Sequence, residues 1–196
     1  MQVAAKRLRF CRLNRINLFM ANSEGALPFP DDTFDVVYAE SVLAYLPEAE
    51  IRAVFFEVYR VLKNRGVFLL NESLWRKHVS PETMDTINRE CVRLFGMPQA
   101  VEQIPYQEDW VSLAGQTGFR HEKLVHLTEL PENPNFPAFP GSFCSGLFTL
   151  GGRIKKNLSH ALRLLSVQYR ESERSFSRFG LFLEGVFFKF SKPDDY

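Results

Sequence analysis

The sequence predicts an α/β fold built on a parallel sheet. A short apolar segment at residues 34–39 follows turn-forming residues and predicts a buried strand. An amphipathic helix comes next, and the continuously apolar residues 67–70 then predict a second strand that is covered on both faces. A strand, a helix and a strand at this spacing form a crossover unit, which joins parallel strands.

The helix of this crossover unit has a clear periodic pattern. Its apolar residues recur at steps of three and four from Ile51 to Leu62. Glu48 lies in the first turn, Lys63 in the last, and Gly66 just beyond, which is the charge and glycine arrangement that favours both helix ends. We therefore expect this helix to continue to about Lys63 and to end before Gly66.

Two further helices are predicted by their ends. Ser80 can cap one helix, with Pro81 at its first position and Gly96 after its last turn. The other is expected from about Gln107 to Thr117, with Gly118 ending it. Apolar and aromatic residues predict later strands within residues 119–130 and 179–190.

The remaining segments have more than one interpretation. Residues 1–23 contain five basic residues before the first acidic one, which favours an amphipathic helix and a short strand at 16–20, or a targeting peptide. Prolines every third residue from 131 to 140 predict an extended connection, and residues 153–169 predict a basic amphipathic helix. We expect one domain, residues 1–196, with residues 131–178 as a lid or substrate-facing insertion.

Composition narrows the classes of function. The chain has 196 residues, a net charge of +1 and 45% hydrophobic residues, which indicates a soluble domain and argues against a nucleic-acid partner. Three widely spaced cysteines predict reduced thiols and a cytoplasmic location. The four histidines lack metal-binding spacing, so no metal is expected. No apolar segment is long enough to predict a transmembrane helix.

Three segments carry a resemblance to a known family. They are ANSEGALPFPDDTFDVVYAESVLAYLP, EVYRVLKNRG and VFLLNES, which together resemble the second half of a class I S-adenosylmethionine-dependent methyltransferase of the small-molecule kind. Weaker similarity continues in EDWVSLAGQTGF and FGLFLEGVFFKFSKP. The resemblance implies a Rossmann-like sheet that binds its cofactor at the carboxyl ends of the strands.

The family's opening elements have no counterpart in this sequence. The first two strands of the family carry a glycine-rich turn and an acidic ribose-binding residue, whereas this sequence contains no G-x-G. The resemblance therefore implies a sheet that lacks those two strands, begins just past the acidic position and exposes strand edges. Whether the isolated chain binds S-adenosylmethionine without them is left open.

The resemblance also implies site residues. The positions that contact the cofactor fall on Asn22, Ser23, Glu24, Ala39, Glu40 and Ser41. Tyr45 lies where the family approaches the substrate entrance, and no catalytic residue is assigned. From the residues alone, Glu40 is better interpreted as a solvated carboxylate at a strand end, and Tyr45 is equally well interpreted as a packed aromatic side chain.

The function that the resemblance implies is transfer of a methyl group from S-adenosylmethionine to a small acceptor. Such a reaction depends on alignment and exclusion of water, so a catalytic triad is not required. The Pro-rich segment with Phe136, Phe139 and Phe143, together with the helix from Arg153, would suit a hydrophobic acceptor. Two alternatives stay open: a noncatalytic methyltransferase-like remnant or partner subunit, and a peripheral membrane protein that uses its basic helix. An oligomer is also compatible with the sequence.

Overall fold

The computed structural model describes residues 15–17, 19, 26–129, 167, 170–171 and 174–194. The lid prediction and the basic helix at 153–169 therefore lie almost entirely outside the described residues. The strand expected at 16–20 is described at Ile16, Asn17 and Phe19, and none of these three residues lies in a strand.

The described chain forms a mixed sheet flanked by helices. In chain order the elements are β1 (Phe34–Glu40), α1 (Glu48–Val61), β2 (Leu62–Trp75), α2 (Pro81–Phe95), α3 (Gln107–Thr117), β3 (Arg120–His126) and β4 (Leu183–Ser191). The sheet order is β1-β2-β4-β3. Strands β1 and β2 are parallel, and β4 is antiparallel to both of its neighbours. The predicted α/β fold with a parallel crossover is confirmed.

One face of this sheet forms the core. Alternate residues of β2 and β4 point to the same side of a sheet, and on this side they are fully buried. The helices supply the opposing residues from their apolar faces. The main contributors are Phe68, Leu70 and Leu74 of β2, Val186, Phe188 and Phe190 of β4, and Ile51, Phe55, Trp110 and Leu113 of the helices.

Strand β1 forms one edge of the described sheet. Its Val37 and Ala39 side chains pack against the core, whereas Val36 and Tyr38 on the opposite face are 54% and 52% exposed. Within the described part of the chain, β2 is the strand that pairs with β1.

The predicted end of α1 is wrong by about two residues. The helix ends at Val61, and Leu62 is already extended and paired with Phe34 of β1. The backbone N–H groups of Asp32 and Thr33 donate to the carbonyl oxygens of Arg60 and Val61, at 3.0 and 2.8 Å. These partners lie about thirty residues away, so the local charge pattern around Lys63 does not reveal them.

The prediction for the second strand, residues 67–70, covers only the middle of β2, whereas the two later strands are shorter than the segments in which they were predicted. Strand β3 ends at His126, and residues Leu127–Glu129 form a 3-10 turn. The last strand begins at Leu183 rather than near residue 179, because residues Ser177–Phe179 form a 3-10 turn that is followed by Gly180 with φ of 64°. Apolar composition correctly predicted that each segment contains a strand, but it does not show at which residues hydrogen bonding to the neighbouring strand begins and ends.

The two remaining helices have the predicted ends. Ser80 caps α2, and its hydroxyl accepts a hydrogen bond from the N–H of Thr83 at 3.3 Å. Gly96 and Gly118 follow α2 and α3 in the left-handed conformation, with φ of 78° and 104°.

Replacing Gly118 with alanine is expected to destabilise the protein by about 1–2 kcal/mol, because left-handed backbone disfavours a Cβ atom. The added Cβ would also lie 3.2 Å from the ring of Tyr59. Gly115→Ala is the matched control, since it lies inside α3 with open space around its Cβ position and should stabilise the helix by about 0.5–1 kcal/mol. Urea unfolding of both variants tests this, and equal effects of the two substitutions would contradict it.

Candidate functional site

The carboxyl end of β1 carries three of the six predicted cofactor residues. Ala39 and Glu40 are the last residues of the strand and pair with Leu70 and Asn71 of β2. Ser41 continues the pairing, because its N–H donates to the carbonyl oxygen of Asn71 at 2.8 Å. The backbone of Ser41 then turns into the left-handed region, with φ of 50°, and starts the loop to α1.

A buried carboxylate on β2 binds the backbone of this loop. Glu72 of β2 is 1% exposed, and its carboxylate accepts hydrogen bonds from three consecutive backbone N–H groups. The donors are Val42 at 3.0 Å, Leu43 at 2.8 Å and Ala44 at 3.4 Å. A single side chain therefore satisfies three polar groups of the loop and determines its position relative to the sheet.

The environment of Glu72 changes its acidity. Burial raises the pKa of its carboxyl group, because it disfavours the charged form, and the three backbone hydrogen bonds act in the opposite direction. A carboxylate kept in the core at this cost is a marker of a functional or organising position. Glu72 was not among the site residues predicted from the sequence, although the alternation Phe68, Leu70, Glu72, Leu74 places it in the buried register of the strand.

Glu40 lies on the opposite face of the sheet from Glu72. Its carboxylate accepts a hydrogen bond from the hydroxyl of Tyr38 at 2.5 Å. This hydrogen bond raises the pKa of Tyr38, because the neutral phenol is the form that donates. Both side chains are exposed, so Glu40 is held in place at the strand end while its carboxylate remains accessible to a ligand from solvent.

Tyr45 lies on the same loop and lines a pocket. The pocket has a volume of about 360 Å³ and lies between residues 44–47 and the segment 98–103 that follows α2. Tyr45 is 37% exposed there. Tyr45 is four positions after Ser41 along this loop, and Glu72 accepts hydrogen bonds from the backbone between them.

A second pocket, of about 450 Å³, lies further along the sheet. Its lining includes Trp75 at the end of β2, Arg76 directly after it, His126 at the end of β3 and Glu184 at the start of β4. His126 Nδ1 lies 3.6 Å from the carboxylate of Glu184. None of the predicted site residues that the structure describes lines this pocket, so the loop after β1 remains the better candidate site.

Other predicted residues have a structural role or lie outside the description. Asn22, Ser23 and Glu24 lie outside the described residues. The three aspartates before and within β1 form ion pairs: Asp31 with Arg60, Asp32 with Lys192 and Asp35 with Lys63. Within the described ranges, no cluster of three or more His, Cys, Asp or Glu residues could hold a metal ion.

Among the described helices, none is both long and apolar enough to cross a membrane.

Comparison with known proteins supports the family resemblance. Residues 1–70 match the methyltransferase domain family. A sterol 24-C-methyltransferase of Schizosaccharomyces pombe is 29% identical over 125 residues, covering 64% of this chain and 32% of that protein. A sterol 24-C-methyltransferase of Eremothecium gossypii is 43% identical over 68 residues, covering 35% of this chain and 16% of that protein. The chain thus spans about a third or less of the length of the curated relatives it matches.

The fold agrees with this match. The crystal structure of the cyclase SpnF superimposes with a TM-score of 0.63 and 17% identity, covering 99% of this chain and 62% of that one. Identity at this level supports the fold alone. The match over residues 1–70 and the shared fold make this chain similar to the class I S-adenosylmethionine-dependent methyltransferases, and its described strands form a part of a Rossmann-like sheet.

Proposed function

We propose that this chain binds S-adenosylmethionine at the carboxyl end of β1 and takes part in methyl transfer to a small acceptor. The observation that carries the proposal is the loop after β1, which starts at left-handed Ser41 and is anchored by the buried carboxylate of Glu72. This loop lies inside the segment that matches the methyltransferase domain. It also lies at the carboxyl edge of a parallel strand pair, where open α/β sheets bind ligands.

The residues at this edge suit the methionine end of the cofactor. The accessible carboxylate of Glu40 can accept a charge-assisted hydrogen bond from an ammonium group. Ala39 and Ser41 present their backbone beside it. The adenine end is assigned to Asn22, Ser23 or Glu24, and Tyr45 to the acceptor side.

S-adenosylmethionine, when bound, supplies a methyl group on a positively charged sulfur. The contribution of this chain is then to orient the acceptor in line with that group and to keep water away from it. The anchored loop would orient the acceptor, because three hydrogen bonds to Glu72 determine the position of the loop relative to β1 and β2. We assign the exclusion of water to the segment 131–178, as a lid.

The acceptor is proposed to be hydrophobic. Both curated relatives are named sterol 24-C-methyltransferases, and the predicted lid segment is rich in phenylalanine and proline. A cytoplasmic location follows from the predicted reduced thiols and stays part of the proposal.

Calorimetric titration of the purified chain with S-adenosylmethionine tests the proposal. Ligand concentrations up to about 1 mM would detect a binding free energy of about 4 kcal/mol. We expect saturable binding that Glu40→Gln weakens by about tenfold. Glu122→Gln, an exposed carboxylate on β3, is the matched control and should leave the affinity unchanged. Silence from a folded sample would favour the alternative of a noncatalytic remnant or partner subunit.

A further inference from the structure

We propose that the pocket beside Tyr45 binds the acceptor, that this acceptor is an apolar molecule with a hydrogen-bond-donating head, a hydroxyl or an amine, and that Glu102 receives this hydrogen bond. The acceptor role rests on the proposed function. The chemistry of the ligand does not, because it follows from the residues that line the pocket.

The walls of the pocket are mainly apolar. Its volume of about 360 Å³ is within the range of small-molecule sites. Such sites combine apolar walls with a few polar groups that determine ligand orientation. The apolar lining consists of Ala44, Leu46, Pro47, Pro98, Ala100 and Val101.

The wall that carries Glu102 is held rigidly by a buried amide. Asn88 of α2 is 7% exposed, and its Nδ2 donates to the carbonyl oxygen of Ala100 at 2.8 Å and to Glu102 Oε1 at 2.6 Å. Its Oδ1 accepts from the N–H groups of Gln99 and Ala100, at 2.7 and 3.3 Å. Both the nitrogen and the oxygen of the Asn88 amide therefore bind residues 99–102 to α2, and Glu102 is oriented before any ligand binds.

Glu102 has capacity for a ligand. A carboxylate offers about four acceptor positions on its two oxygens, and the hydrogen bond from Asn88 uses one of them. The side chain is half-buried at the pocket wall. A hydroxyl or ammonium group inside the pocket would complete its hydrogen bonding.

The charge of the lining selects against anionic ligands. Among the described residues that line this pocket, Glu102 is the charged one, and none of them is Lys, Arg or His. The pocket at Trp75 differs, because Arg76, Lys77 and two histidines line it. A phosphorylated or carboxylated acceptor would meet an unfavourable charge at Glu102, with no cation to offset it.

The pocket is also part of the candidate site. Ala44 and Tyr45 line it, and the N–H of Ala44 is one of the three N–H groups that donate hydrogen bonds to Glu72. The same anchored loop therefore connects the strand end at Ser41 to the pocket wall. A ligand in the pocket would lie next to the loop that is proposed to hold the cofactor.

Backbone amide NMR of the purified chain, titrated with octylamine, 1-octanol and octyl phosphate, tests this inference. We expect octylamine and 1-octanol to shift the amides of Tyr45 and residues 100–103, and octyl phosphate to bind at least tenfold more weakly than octylamine. Glu102→Gln retains an oxygen for Asn88 and should weaken octylamine by about tenfold, equivalent to about 1.4 kcal/mol. Glu184→Gln, at the other pocket, is the matched control and should have no effect.

A second variant keeps the test independent of Glu102. Gln103 is exposed at the rim, so Gln103→Lys should fold normally and reverse the preference in favour of octyl phosphate. The inference is wrong if octyl phosphate binds as well as octylamine, if Glu102→Gln leaves octylamine affinity unchanged, or if the shifts occur around Trp75. Octylamine binding without S-adenosylmethionine binding would contradict the proposed function alone. S-adenosylmethionine binding without octylamine binding would contradict this inference alone.

Discussion

Replacing Phe55 with alanine is expected to lower the free energy of unfolding by about 3–5 kcal/mol, the usual loss for truncating a buried aromatic side chain. Phe55 lies on α1, is fully buried and joins the helix to the sheet. The centroid of its ring lies within 6.3 Å of the ring centroids of Phe68, Trp110, Phe119 and Phe190. Truncation would leave a cavity where α1, α3, β2 and β4 meet. Urea unfolding measures this loss.

The adjacent residue provides the control. Phe56 is 56% exposed, so Phe56→Ala should change the free energy of unfolding by about 0.5 kcal/mol or less. The pair differs by one position and has the same chemistry, so it tests the orientation of α1 directly. Comparable losses at both positions would contradict the described packing of the helix.

Replacing Glu72 with alanine is expected to lower the free energy of unfolding by about 3 kcal/mol and to weaken S-adenosylmethionine binding. The substitution removes the acceptor of three backbone N–H groups, and each unsatisfied buried donor costs about 1–3 kcal/mol. Because the loop then loses its position relative to β1, the binding loss should exceed that of Glu122→Gln. Unfolding and calorimetric titration of the same sample measure both effects.

A pH series with Glu72→Gln separates the carboxyl group from the packing of the side chain. The pKa of Glu72 is raised above its ordinary value of 4.5 by burial. Its contribution to stability is therefore fully present below about that pH and is lost as pH rises through the raised folded-state pKa. The stability of the wild type relative to Glu72→Gln should decline over this interval. A difference independent of pH, or one that increases with pH, would contradict the buried position of the carboxyl group.

Local patterns in the sequence predicted the elements of this fold well. The ends of α2 and α3 were correct, because Ser80, Gly96 and Gly118 act on their own helices through capping and left-handed backbone. The end of α1 was missed, since it depends on N–H groups of Asp32 and Thr33 that reach it only after folding. The same reason explains the ends of β3 and β4, which are determined by pairing partners.

The candidate site could be predicted only in part. Resemblance located Ala39, Glu40, Ser41 and Tyr45 on one strand end and loop, and these lie together in the structure. The residue that anchors the loop was not predicted, because its three donors are 28–30 positions away along the chain. A carboxylate in the buried register of a strand was the available signal, and a search for such residues would have found Glu72.

Hydrogen exchange of the purified chain with and without saturating S-adenosylmethionine tests the central claim most directly, because it locates the site as well as detecting it. The account predicts slower exchange at residues 39–46, with little change in α2 or at the pocket beside Trp75. Saturable binding that leaves exchange at residues 39–46 unchanged, or that protects a different part of the chain, would contradict the assignment of the cofactor site to the carboxyl end of β1.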